Sequence, residues 1–201
     1  VLLVKYNSSG VAQWARTVIA GGDASVFTGV SVASDGSVYA TGYTDRPSTY
    51  DFGNNVAVTS TYNGNNIVLV KYNSSGVAQW ARNATVRTPS SEWGSSSSSF
   101  NSVSVASDGS VYAAGRIYGT GTYDFGNSVT AAGTYTGYNI VLLKYNSSGT
   151  TQWAQTVTGG SSTSEFNSVS VASDGSVYAV GYISGTGTYD FGNSVTATGP
   201  Y

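Results

Sequence analysis

The 201-residue chain states one pattern three times, so its fold must be built from a recurring unit. The run VLLVKYNSSGVAQWAR that begins at Val1 returns as VLVKYNSSGVAQWAR from Val68 and as VLLKYNSSGTTQWAQ from Val141. Lys5, Lys71 and Lys144 mark it, 66 and then 73 residues apart. A second block, VSVASDGSVYATG around Asp35, returns with one position changed around Asp108 and Asp174, and each copy leads into Tyr-Asp-Phe-Gly at Asp51, Asp124 and Asp190. From Phe100 to Gly133 and from Phe166 to Gly199, 30 of 34 positions are identical, so the environment these residues require is built at least twice.

Landmark spacing shows where the unit tolerates change. Asp35 to Asp51, Asp108 to Asp124 and Asp174 to Asp190 are all 16 residues, and the next Lys follows 20 residues later both times it occurs. Only the stretch from Trp to the Asp-Gly turn varies: 21 residues from Trp14 to Asp35 and from Trp153 to Asp174, but 28 from Trp80 to Asp108. Thr88-Pro-Ser-Ser-Glu-Trp-Gly and a serine run account for the extra length and read as an exposed loop. The expected organisation is repeat 1 over 1–66, repeat 2 over 67–139 with an inserted loop at 85–99, and repeat 3 over 140–201. The third repeat is expected to be completed by a strand from 1–6 or from another chain. It stops at Gly199-Pro-Tyr201, where the next Asn-Ile-Val-Leu strand is due.

Each repeat reads as two hairpins. Ile67-Val-Leu-Val-Lys-Tyr72 is a short apolar, β-branched run; Asn73-Ser-Ser-Gly76 turns it, and Val77-Ala-Gln-Trp-Ala-Arg82 returns beside it. In the second hairpin, Val103-Ser-Val-Ala and Val111-Tyr-Ala-Ala-Gly flank Ser107-Asp-Gly-Ser110, where Asp-Gly between alternating residues is a strong hairpin signal. A period of two puts Val103 and Val105 on one face and Ser102 and Ser104 on the other. Thr122-Tyr-Asp-Phe and Ser128-Val-Thr-Ala read as weaker strands. The composition agrees: 26 Gly and 16 Tyr, with no Cys, Met or His. The expected class is all-β, three tandem repeats of four or more antiparallel strands arranged as β-propeller-like blades, with a β-solenoid of stacked small sheets as the alternative.

The order of these motifs, Lys-Tyr-Asn-Ser-Ser-Gly, then Trp, then Asp-Gly-Ser-Val-Tyr-Ala-x-Gly, then Asp-Phe-Gly, resembles the bacterial β-propeller repeat family known as SBBP repeats. The resemblance covers essentially the whole chain. It implies a bacterial protein that is secreted or held at the cell surface, and it brings no catalytic residues. At 66 to 73 residues the unit is longer than the ~40 to 50 of common propeller blades.

The recurring polar and aromatic residues each carry a structural reading beside a functional one. Asp35, Asp108 and Asp174 with Gly36, Gly109 and Gly175 form turns; calcium is the rival reading, but each Asp stands alone where calcium takes 6 to 8 oxygens. Asp51, Asp124 and Asp190 are expected to accept turn amides while Phe52, Phe125 and Phe191 enter the core. Trp14, Trp80 and Trp153 share one strand register and serve either as core or as a sugar-stacking platform. Trp93, beside Glu92 in the insertion, has no counterpart in the other repeats and reads either as the best single candidate for a partner or glycan contact or as a local lid over its own blade. Asn7, Asn73, Asn146 and Asn83 head glycosylation sequons.

Eighteen charged residues, 8 basic and 10 acidic, leave no nucleic-acid footprint, and no apolar run approaches the ~20 residues of a membrane span. The chain does not open with Met, which fits a processed chain or a piece of a longer one. Without His or Cys, and with Glu92 and Glu165 as its two glutamates, the chain is expected to be no enzyme and to hold no cofactor. The expected function is an extracellular repeat scaffold for adhesion, surface coating or filament and oligomer assembly, self-associating through strand edges. A glycan-binding module with one site per repeat is the alternative.

Overall fold

The computed structural model describes residues 1–22, 24–86 and 96–199, the side chains of Val86 and Ser96 excepted. Among these residues all regular structure is β and none is helical. Two sheets form the middle of the molecule, each built on four antiparallel strands, and sheet I gains the short Ser96–Ser97 as a fifth, parallel strand. Sheet I runs Ser25–Val32, Val38–Asp45, Gly64–Tyr72 and Ala78–Asn83 in spatial order. Sheet II runs Ser99–Val105, Val111–Tyr118, Tyr138–Tyr145 and Thr151–Gln155. Among the described residues no sheet closes into a barrel.

Each end of the chain carries half a sheet. The leading half-sheet, Leu3–Tyr6 with Ala12–Arg16, matches the last two strands of sheets I and II. The trailing half-sheet, Ser164–Val171 with Val177–Ile183, matches the first two. A sheet therefore straddles two sequence repeats, its first hairpin from one and its second from the next.

Local chemistry fixes the hairpins. In sheet I the turn closes with Gly36 N donating to Ala33 O at 2.9 Å, Gly36 at φ +80°, and the Asp35 carboxylate accepting from Ser37 N at 2.8 Å. At the other turn, Asn73 Oδ1 accepts from both Ser75 N and Val77 N, which fixes the four-residue loop without help from the core.

After the second strand of each unit comes a small hairpin: Ser48–Asp51 with Ala57–Ser60, Thr122–Asp124 with Thr130–Ala132, and Thr188–Asp190 with Thr196–Thr198. The second strand starts at Thr130 because Asn127 and Ser128 take positive φ and belong to the turn. The link leaving the preceding unit adds to each small hairpin: Thr85–Val86 pairs with Tyr123–Asp124, Thr158–Gly159 with Tyr189–Asp190, and Ala20 bridges to Asp51. The described ends of the inserted loop are thus paired, not free. Ser96–Ser97 lies parallel to Gly64–Asn65, and Ser98 and Ser99 are buried.

The core lies between successive units. Tyr39, Ile67 and Leu69 of sheet I meet Phe100, Val103 and Val111 of sheet II; Tyr112 and Ala114 of sheet II meet Val169; Leu3 of the leading half-sheet meets Val38, Val68 and Val70. Burying both faces of a sheet explains why its third strand is almost continuously apolar.

Candidate functional site

The recurring residues converge on the joint between one unit and the next. Trp14 Nε1 donates to Ser74 O at 3.2 Å, and Trp80 Nε1 donates to Ser147 O at 3.3 Å. The guanidinium of Arg16 lies 5.3 Å over the Trp14 ring, and that of Arg82 lies 5.2 Å over Trp80. Each arginine also reaches the following turn, Arg16 Nε to Gly76 O and Arg82 Nε to Gly149 O. Glycine is needed there for clearance: a Cβ at Gly76 would lie 2.8 Å from Trp14 Cδ2, and one at Gly149 would lie 2.8 Å from Trp80 Cδ2.

The lysines complete the pattern. Lys5 and Lys71 donate to Ser74 O and Ser147 O, at 3.2 and 3.4 Å. Lys71 sits 5.3 Å over the Tyr39 ring and Lys144 sits 5.4 Å over Tyr112. Trp153 packs on Tyr112, with ring centroids 5.9 Å apart, and Gln155 stands where the other repeats have Arg16 and Arg82.

A second layer of the joint joins first strands. Thr28 Oγ1 donates to Phe100 O, and at the same register Asn101 Nδ2 donates to Phe166 O at 2.8 Å. Ser102 and Ser104 hydroxyls accept from Val169 N and Val171 N, both at 3.2 Å.

One joint carries a charge pair that has no counterpart elsewhere in the repeats. Glu165 is buried between sheet II and the trailing half-sheet, where its Oε1 accepts from Arg116 at 2.5 Å and from Asn101 Nδ2 at 2.6 Å. Tyr182 donates to Oε2 at 3.2 Å, and Arg116 stacks 4.2 Å over Tyr138. Burial, then the Glu165 charge, raises the Tyr182 phenol above its ordinary value. The equivalents of Arg116 are Tyr43 and Tyr182, and those of Glu165 are Val26 and Ser99. Recurrence singles out what repeats, so it passed over this pair, which marks one joint from the others.

The six turn aspartates are engaged within their own turns. Asp35, Asp108 and Asp174 accept from Ser37, Ser110 and Ser176 backbone N–H groups at 2.8 Å, which holds each carboxyl below its ordinary value. Asp51, Asp124 and Asp190 accept from Gly53, Gly126 and Gly192 N at 2.7 to 2.9 Å. Phe52 and Phe125 are buried, and Phe191 is half-buried beside Ile140, Val157 and Tyr189. The three hairpin tyrosines beside these aspartates also recur as anchors: Tyr50, Tyr123 and Tyr189 donate to the carbonyls of Asp45, Tyr118 and Ser184, each five residues back.

Among the described residues no three His, Cys, Asp or Glu side chains gather as a metal site, and no helix is long and apolar enough to cross a membrane. The hollow lined by Tyr62, Asn66, Ile67, Ala84, Ser98 and Tyr123 has room for about one water molecule. Glu92 and Trp93 lie outside the described residues. No protein-family model matches the chain, and neither does any curated protein.

Proposed function

We propose that the chain is a non-enzymatic repeat scaffold of a bacterial secreted or surface protein, its units acting as propeller-like blades in adhesion, coating or assembly. One observation carries this reading: two of the three recurring tryptophans, with the arginines over them, are engaged with the chain's own next unit. Trp14 and Trp80 have Gly76 and Gly149 laid against their rings and arginines over them. Residues that a catalytic or binding site would display are here used to hold sheet against sheet. The motif order shared with SBBP repeats supports the surface setting.

A glycan-binding reading keeps Trp153, whose ring has neither the arginine nor the glycine that the other two have. Titration of intrinsic tryptophan fluorescence with soluble oligosaccharides separates the two. The scaffold reading expects no saturable change, whereas saturable quenching that Trp153→Ala abolishes would replace it with the glycan reading.

A further inference from the structure

Strand Tyr138–Tyr145 has two possible partners of nearly the same sequence. Over Ser99–Tyr118 and Glu165–Ser184, 16 of 20 positions are identical, against 13 and 14 of 20 when Val26–Asp45 is compared with each. Both hairpins close in one register, Val105 opposite Val111 and Val171 opposite Val177, with the same irregularity after Phe100 and Phe166. In sheet II, Val111 pairs with Tyr145, Tyr112 with Lys144 and Gly115 with Val141. Val177, Tyr178 and Gly181 offer the same residues at the same spacing, so this half of the strand does not choose between the two. Neighbouring repeats this alike are where chains misassemble by exchange. Exchange is within reach here. The eight residues 156–163 span up to about 26 Å when extended, and crossing three strand spacings takes about 14 Å.

Four positions differ between the two hairpins, and three of them gather at one place. Arg116 and Tyr118, where the other hairpin has Tyr182 and Ser184, both touch Tyr138. The Arg116 guanidinium lies 4.2 Å over the Tyr138 ring, and Tyr118, directly opposite, meets that ring edge-on with centroids 5.8 Å apart. Arg116 also donates from Nη1 to Glu165 Oε1 at 2.5 Å and from Nε to Ser97 O at 3.1 Å, and Ser99 is the residue that stands in the place of Glu165. Tyr138 does not recur either: Asn65 holds its position in sheet I. The fourth difference, Ala114 against Val180, keeps an apolar side chain.

We propose that Arg116, Tyr118 and Glu165 form an assembly key that selects Val111–Tyr118, and not Val177–Ile183, as the partner of Tyr138–Tyr145, and so keeps two near-identical hairpins from changing places. In the exchanged pairing Tyr182 stands opposite Ile140 and Ser184 opposite Tyr138. The guanidinium stack and the aromatic edge contact are then lost, and Glu165 enters the place of Ser99 with Tyr182 beside it where Arg116 now stands. A buried ion pair suits this task. It adds little to net stability compared with apolar residues of similar size, yet it is costly to leave half-formed. Such a pair penalises the wrong arrangement more than it stabilises the right one.

The chain has no cysteine, so engineered thiols report which strand Tyr138–Tyr145 has taken. Directly opposed strand residues have Cα atoms about 4.5 to 5.5 Å apart, within reach of a disulfide. A Tyr112→Cys/Lys144→Cys chain reports the native pairing, and a Lys144→Cys/Tyr178→Cys chain reports the exchanged one. Each is refolded from denaturant, oxidised and mapped by peptide mass, with links within and between chains both counted. The parent sequence should link positions 112 and 144 and leave 144 and 178 unlinked. Adding Arg116→Tyr, Tyr118→Ser and Glu165→Ser leaves the two hairpins differing only at Ala114 and Val180, and the 144–178 link should then form in a yield comparable to that of the 112–144 link. A second variant, Tyr182→Arg with Ser184→Tyr, gives the key to the other strand without altering sheet II, and it too should produce the 144–178 link. The proposal is overturned if the parent links 144 to 178 as readily as 112 to 144, or if neither variant raises the 144–178 link above the parent.

Discussion

Gly149 lies flat against the indole of Trp80, held at φ +77° and so close that a Cβ would sit 2.8 Å from Cδ2. Turn geometry and sheet packing therefore meet at one residue. Gly149→Ala should cost about 1 to 3 kcal/mol from the left-handed backbone and a comparable amount, about 1 to 3 kcal/mol, from forcing the indole aside. Gly10 has the same φ of +77° and nothing within 4 Å of its Cβ position, so Gly10→Ala should carry only the backbone part. Denaturant unfolding of both variants measures the difference; equal losses would contradict the packing role.

Among the described residues, the Arg116–Glu165 pair should be the most sensitive charged contact. Arg116→Ala leaves the Glu165 carboxylate buried with only Asn101 and Tyr182 as partners, and loss of one member of a buried pair costs about 3 to 5 kcal/mol. The double change Arg116→Tyr with Glu165→Val installs the residue types of the equivalent positions Tyr182 and Val26 and should recover much of the loss. A double variant as unstable as the single one would show that the pair does more than fill its joint.

Acid should weaken the hairpins in a defined window. Backbone N–H groups of Ser37, Ser110 and Ser176 hold Asp35, Asp108 and Asp174 below the ordinary 3.8, so the folded state binds these protons less readily than the unfolded chain. That stabilisation is complete above the ordinary value and is lost as pH falls through the lower folded values. Thermal unfolding from about pH 5 to about pH 2 should show a falling midpoint, and replacing all three with Asn should flatten the fall. An unchanged slope in the triple variant would remove these turns as the source.

Tyrosine hydroxyls should divide into two classes. Tyr123 donates to Tyr118 O and meets Ser98 Oγ, so Tyr123→Phe should cost about 1 to 2 kcal/mol. Tyr145 is fully buried with no hydrogen-bond partner for its hydroxyl, and burial pushes the phenol far above its ordinary value. Tyr145→Phe should leave stability unchanged or raise it by about 1 kcal/mol, since it removes a desolvated hydroxyl. A loss as large as that of Tyr123→Phe would contradict the assignment.

Local signals are legible in the sequence itself. Period-two runs around Asp-Gly and Asn-Ser-Ser-Gly give the hairpins, because a hairpin's pairing is decided within about a dozen residues. The way hairpins combine was not legible: Val38–Asp45 pairs with Gly64–Tyr72 across the small hairpin, and no local pattern names that partner. The tryptophan register was visible, but the surface covering it comes from Gly76 and Gly149, more than sixty residues further on. Their glycines already had a sufficient reason in the turn. Arg116 and Glu165 lie 49 residues apart and do not recur, so neither spacing nor repetition pointed to them.

Recurring tryptophans hold one unit to the next, and denaturant unfolding of Trp80→Ala tests this most directly. Removing the ring packed between Arg82 and Gly149 should lower stability by about 3 kcal/mol. An unfolding midpoint unchanged from that of the parent chain would contradict the role of Trp80 in the joint.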